Sequence, residues 1–451
     1  MKIFLNSSRL GSVGKERPSR MSDQSNNLVR PTAIAPSKLH ALAVCFALAS
    51  LPLLFSYLFW PGHGPLTNPG NEQLGIVLVL QLCVIILSGT VRTSPRRWGL
   101  DALFLLALVP LGVQGWHTIL QADAGAVSSL VRWSVLVAFG AAIYIGIRNR
   151  HLALTNRTTA MTVVAAALGY VVLFTLVYSD QQEFERLGTV VLGFVNIRYT
   201  SHFVAPAIAI LLAWAVRHPY LDRRYAVIVG LTAILSVFSF YTGSRGTLLS
   251  VAATVAVLVL FSPGFRLWRM LPTLLIVCVA GYGLAALLPP PDDTNFLFFS
   301  RLGRMDSGRI AIWLTLLEHW TRAPLLGYGE VNIGPIVGSF VAQAHNSIVQ
   351  NLFSVGLVGS LAIWTLVAVL FWRMLQALRE QDDRALPAIA GIACIFANSL
   401  LGGSLFAPYP LALCALMVAT FLANQTGGDN LRSAKATAQT DHGPDLAFDP
   451  R

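Results

Sequence analysis

About twelve apolar runs, parted by mostly short polar connections, leave this chain almost no choice of fold class. They cover roughly residues 39–60, 73–91, 99–116, 127–147, 161–178, 202–216, 225–241, 247–261, 268–288, 347–372, 385–401 and 410–424. A helix that crosses a bilayer needs about 20 apolar residues, and inside the hydrocarbon it must pair its own backbone polar groups. Several runs are shorter, 202–216 and 247–261 among them. Only 12% of the 451 residues are charged, against about 25% in soluble domains. So few charges cannot cover a water-facing surface. The expected fold is all-α, a polytopic membrane helix bundle of about twelve transmembrane helices with a large outer loop that contains short amphipathic helices.

The basic residues set the orientation. Lys2, Arg9, Lys15, Arg17, Arg20, Arg30 and Lys38 precede the first run, and arginines return at 92, 96 and 97, at 148, 150 and 157, at 217, 223 and 224, at 266 and 269, and at 373, 379 and 384. The intervening connections 61–72 and 117–126 have none. Cytoplasmic loops collect Lys and Arg, so both termini are expected in the cytoplasm, in agreement with an even number of spans. This sorting accounts for the net charge of +11. No basic block stands apart with interleaved aromatics, so nucleic acid is not an expected partner. Residues 1–38 and 425–451 read as cytoplasmic tails flanking one transmembrane domain, 39–424. No apolar core follows Met1 closely enough for a cleaved signal peptide. Cys45, Cys83, Cys278, Cys394 and Cys414 all lie in apolar runs and form neither a disulfide framework nor a metal spacing.

Arginines also occur on the outer side, where charge sorting gives no reason for them. The connection 179–201 carries Arg186 and Arg198, and the long connection 289–344 carries Arg301, Arg304, Arg309 and Arg322. Arg245 sits in a short outer turn, YTGSRG, between two apolar runs. Its neighbours Gly243 and Gly246 would let a backbone or ligand approach closely. It could also snorkel from a helix end. Within the long connection, Ser307 is a candidate cap, and Ile310, Trp313, Leu314, Leu317 and Trp320 recur at helical spacing. Pro324 should end this helix. It is expected to lie along the outer membrane–water boundary. LLGYGEVNIG then reads as a flexible return.

That return leads to HNSIVQNLFSVGLVG, residues 345–359. An ionisable ring at the lip of a membrane helix is a functional-site hypothesis, although such a histidine can also simply bond a backbone carbonyl. Histidine serves as a general base near neutral pH, and arginine grips phosphate oxygens with a bidentate fork. Together they suit group transfer from a phosphorylated donor. His345 is the candidate base and Arg245, Arg309 and Arg198 the candidate phosphate ligands, with Asn346, Arg301, Arg304 and Arg186 as further candidates. Gly356 and Gly359 are expected to pack the helix. Metal-ligand spacings, a G-x-x-x-x-G-K loop and a nucleophile elbow are all absent, so no metal or cofactor is expected.

Three motifs in order carry a resemblance. Thr242-Gly243-Ser244-Arg245-Gly246 comes first; Arg309 with Trp313 precedes Pro324-Leu325-Leu326-Gly327-Tyr328-Gly329; and His345-Asn346 precedes Gly356-Leu357-Val358-Gly359. Over about residues 225–372 the chain resembles the O-antigen ligase family, related to Wzy-type polymerases and protein O-oligosaccharyltransferases. The resemblance implies a metal-independent, inverting glycosyltransferase of the bacterial inner membrane with a periplasmic active site. It implies transfer of O-antigen polysaccharide from undecaprenyl diphosphate to lipid A–core, with membrane lipids as surroundings. His345 would then act on the acceptor hydroxyl, and Arg245, Arg309 and Arg198 on the diphosphate. A polymerase or protein oligosaccharyltransferase is the alternative within the family. The short tail after Asn424 weighs against the latter. A transporter is the alternative outside it, disfavoured because the charges gather at the outer rim instead of mid-membrane.

Overall fold

The computed structural model describes residues 36–58, 69–88, 102–121, 124–177, 197–220, 222–262, 267–288, 308–330, 333, 336 and 343–441. Among them are thirteen α-helices, two 3-10 turns and no strand. The helices are α1 Pro36–Leu58, α2 Pro69–Leu87, α3 Ala102–Gln121, α4 Ala124–Arg148, α5 Asn156–Val177, α6 Ser201–Ala215, α7 Arg223–Tyr241, α8 Arg245–Phe261, α9 Leu267–Leu287, α10 Arg309–Arg322, α11 Ser347–Arg379, α12 Leu386–Gly402 and α13 Pro408–Asp441. Twelve fall on the twelve apolar runs. The remaining one, α10, is the amphipathic helix expected in the long loop. Six (α4, α5, α7, α9, α11 and α13) are long and apolar enough among the described residues to cross a membrane. The protein is a polytopic helical membrane protein.

The shortness of 202–216 has a structural cause. Helix α6 is buried on every side, with Trp214 the one residue of the helix not fully enclosed. A helix that is apolar all round belongs inside other protein. Helices α5, α7, α8 and α12 pack around it, and α13 packs on α4. Edge-on rings tie this centre together: Tyr170 meets Phe203 at 5.4 Å and Phe174 meets Phe238 at 5.1 Å. Outward-facing Phe46, Ile86, Leu176 and Leu275 stay exposed, as a lipid-facing surface requires.

Helix ends expected on one side of the membrane also meet in space. Arg217, after α6, pairs with Asp383 between α11 and α12, and Gln425 near the lower part of α13 reaches Asp382. Ala153, after α4, bonds Ser37 at the start of α1. The opposite end gathers the C-terminal ends of α3 and α12 with the N-terminal ends of α4, α6, α8 and α11, and it carries the candidate site.

Three local expectations change. Gly308, left-handed at φ 77°, directly precedes α10 with no side-chain cap, and Ser307 lies outside the described residues. Helix α10 ends just before Pro324, as expected. Its packed face is Ile312, Trp313, Leu316 and Leu317 against Val349 and Phe353, whereas Ile310 and Leu314 are exposed. The stretch 325–330 is no flexible return, because its backbone is bonded from two sides, as described below.

Candidate functional site

The C-terminus of α12 organises the site. The last carbonyls of a helix lack intrahelical partners and form its negative end. Here they draw in two of the sequence candidates. The Arg309 guanidinium donates to the Leu401 carbonyl, and His345 Nδ1 lies 3.5 Å from the Gly402 carbonyl. Because a carbonyl can only accept, this contact needs the proton on Nδ1 and leaves Nε2 with a free lone pair. Gly403, left-handed at φ 73°, turns the chain against His345, and a β-carbon on it would stand 3.5 Å from the His345 Cα.

His345 is itself strained, at φ 54°. Few residues other than glycine adopt such a conformation, and where they do, the surroundings must hold it. They do so here from both flanks. The Trp313 indole of α10 donates to the Ala344 carbonyl at 2.7 Å, and Gln350 Oε1 accepts from the Ala344 amide at 2.8 Å. On the far side, the Asn346 side chain accepts from the amides of Ile348 and Val349, a helix cap for α11. Ser347 Oγ donates to the Ser399 carbonyl at 3.0 Å. Burial, and next the charge of Arg309, push the His345 imidazole below its ordinary pKa.

Helix α11 breaks ten residues into its course. Gly356 stands at φ 59°, ψ −164°, a conformation essentially restricted to glycine. The backbone groups freed by the break are taken up by the segment Pro324 to Gly329. Tyr328 and Gly329 amides donate to Phe353 and Ser354, and Leu357 and Val358 amides donate to Pro324 and Leu325, all at 2.8–3.1 Å. Side chains of α3 hold the segment from its other edge: His117 bonds the Leu326 carbonyl, and Gln121 donates to that of Tyr328. Glu330 ends it, accepting from Ser129, Arg132 and Trp133 of α4. Burial alone would raise its pKa, but the Arg132 charge and these three donors outweigh that and hold it low. Gly356 is therefore the seat of a loop, not a helix–helix contact. The short piece before it carries His345 on a separately anchored platform.

Arg245 opens α8, whose Ser244 cap residue bonds no backbone amide with its side chain and accepts from Thr247 Oγ1 instead. The next residue, Gly246, faces Asn398 of α12. Arg309 and His345 thus meet at one helix end, and Arg245 begins a helix that packs along the same α12. Arg198 lies in the 3-10 turn Ile197–Thr200 that enters α6; its side chain, and Arg186, Arg301 and Arg304 altogether, lie outside the described residues. Sequence reasoning left His202 out of the site. The buried ring bonds the Gly402 carbonyl that His345 also approaches, and Tyr199 lies 5.4 Å from the one imidazole and 6.4 Å from the other. Its position one turn after Arg198 was the one available signal.

An apolar cavity of about 560 Å³ runs from Ser347 between α8, α11 and α12, past Asn351, Trp364 and Phe371. Ile348 and Leu400 line it and are also exposed, so it opens sideways towards the lipid zone. Among the described residues no group of three His, Cys, Asp or Glu side chains could hold a metal ion.

No curated protein matches the chain. Residues 230–364 match the family model described as O-antigen ligase. That segment spans Arg245, α10 with Arg309, the Pro324–Gly329 insert, His345 and the Gly356 break, and over it the chain is similar to the O-antigen ligase family.

Proposed function

We propose that this protein transfers O-antigen polysaccharide from undecaprenyl diphosphate to lipid A–core on the periplasmic face of the bacterial inner membrane. The observation that carries this reading is the convergence of His345 and Arg309 on neighbouring carbonyls at the end of α12, above an apolar cavity open to lipid. A polyprenyl chain suits the cavity. Its diphosphate then meets Arg309, Arg245 and the N-terminus of α8, where helix dipole and guanidinium charge both favour an anion. Arg198, whose backbone lies in the turn that enters α6, is the third candidate for the diphosphate.

In the transfer, the acceptor hydroxyl attacks the anomeric carbon of the donor sugar. Its proton passes to His345 Nε2 as the new glycosidic bond forms. The bond between the anomeric carbon and the phosphate oxygen breaks, and the electron pair leaves with the diphosphate. Attack opposite the leaving group inverts configuration. Guanidinium groups fixed beside the departing oxygens stabilise the developing charge.

The test is a cell carrying His345→Ala. The expected result is loss of capped lipopolysaccharide and accumulation of fully polymerised chains on the lipid carrier. Normal capping would remove His345 from the chemistry, and accumulation of single repeat units would identify a polymerase.

A further inference from the structure

His202 has one satisfied ring nitrogen and one that is not. Nε2 faces Gly402, since a β-carbon there would stand 3.1 Å from it, and the ring bonds the Gly402 carbonyl. The proton therefore sits on Nε2, and Nδ1 is a bare acceptor. That nitrogen is buried with no hydrogen-bond partner. Asn398, on the other side of Gly402, repeats the pattern. Its amide nitrogen donates to Ser250 Oγ, whose own proton goes to the Gly246 carbonyl. This fixes the amide orientation and leaves Oδ1 buried and unpartnered. Two orphan acceptors thus flank one glycine beneath His345. An acceptor buried without its bond is costly, and both call for the same complement, an O–H or N–H donor.

We propose that His202 is a further substrate-binding residue, whose Nδ1 accepts a hydrogen bond from a hydroxyl of the acceptor saccharide next to the one that His345 activates. Sugar hydroxyls stand on neighbouring carbons, so a ring that offers one to His345 offers a second to an adjacent imidazole. The two imidazoles share the Gly402 carbonyl and border the same Tyr199 ring. The arginines surround the donor's phosphates, which leaves the histidine side for the acceptor. Asn398 Oδ1 is a second receptor for the same saccharide or for a water held with it. This assignment rests on the reading of His345 as the base.

Two isosteric substitutions separate the roles of the two nitrogens. His202→Gln keeps a donor near Nε2 and loses the acceptor at Nδ1; His202→Asn keeps a polar atom near Nδ1 and loses the bond to Gly402. With purified full-length protein, lipid-linked glycan and lipid A–core, Gln should raise the acceptor KM about tenfold, as expected for one lost hydrogen bond. Asn should raise it less than Gln does, and neither should change the donor KM. Thermal unfolding in detergent checks that both variants fold. If Gln retains activity and Asn fails, His202 merely braces Gly402 and the proposal is overturned. Unchanged kinetics in both variants would mean that a water fills the position, which overturns it too. His345→Ala in the same assay tests the base separately: full activity there removes the underlying reading whatever the His202 variants do.

Discussion

Gly327 and Gly356 stand backbone to backbone: a β-carbon on Gly327 would lie 2.7 Å from the Gly356 nitrogen, and one on Gly356 would lie 2.6 Å from the Gly327 nitrogen. Both residues have positive φ, at 69° and 59°. This contact locks the loop insert into the break of α11 and so fixes the piece of helix that follows His345. Either glycine changed to alanine would meet a left-handed penalty of about 1–2 kcal/mol and overpacking of about 1–3 kcal/mol. A fall in Tm in detergent, together with lost transfer, is the expected outcome. A variant with wild-type Tm would show that the insert is not seated this way.

Acid should affect His345 later than an ordinary histidine. Burial first, then the Arg309 charge, lower its pKa, so the neutral base persists to lower pH than usual. The acidic limb of the kcat/KM profile should therefore lie below the ordinary histidine value of about 6.5. Arg309→Gln removes one of the two causes and should move that limb upward, besides weakening donor binding. The pH profiles of both proteins decide this, and an unmoved limb would separate Arg309 from His345.

Glu330 and Arg132 form a partly buried pair with side chains 18% and 16% exposed. Glu330→Gln would leave the Arg132 charge without its partner, and breaking buried pairs costs about 3–5 kcal/mol. The insert should loosen, seen as faster hydrogen exchange over residues 324–330. The carboxylate pKa is depressed, so its contribution is complete above the unfolded value and is lost as pH falls through the folded one. Arg132→Gln added to Glu330→Gln should recover part of the loss, because no uncompensated charge then remains.

The cavity beside Ser347 should select for chain length. Ala397 lines it between α11 and α12, and Ala397→Phe would fill much of that space. The expected effect is a rise of about tenfold or more in KM for a long-chain polyprenyl donor, with little change for a truncated one, as for lost burial of a few methylenes at about 0.8 kcal/mol each. Equal effects on both donors would place the lipid chain elsewhere.

The residues that carry the candidate chemistry were largely legible in the chain, but their partners were not. Arg309 and His345 stand out because charge near lipid is rare and needs a reason. What each one touches is 92 and 57 residues away, at Leu401 and Gly402. No local pattern encodes such a meeting. Asn346 was a candidate member of the site, and its side chain caps α11, a role that depends on the direction of one amide. His202 was passed over because its one local signal, a place one turn after Arg198, is weak for a histidine in the first turn of an apolar run.

What the sequence determined by itself is the class of molecule, together with an expected alternation of sides. Hydrophobic length and the placement of Lys and Arg are properties of single segments read against the bilayer, and each segment carries its own signal. Only the tertiary structure decided which helix is central, where α11 breaks and which carbonyls receive the site's hydrogen-bond donors. Those outcomes depend on how backbone groups left unpaired at helix ends and at Gly356 find partners in segments far along the chain.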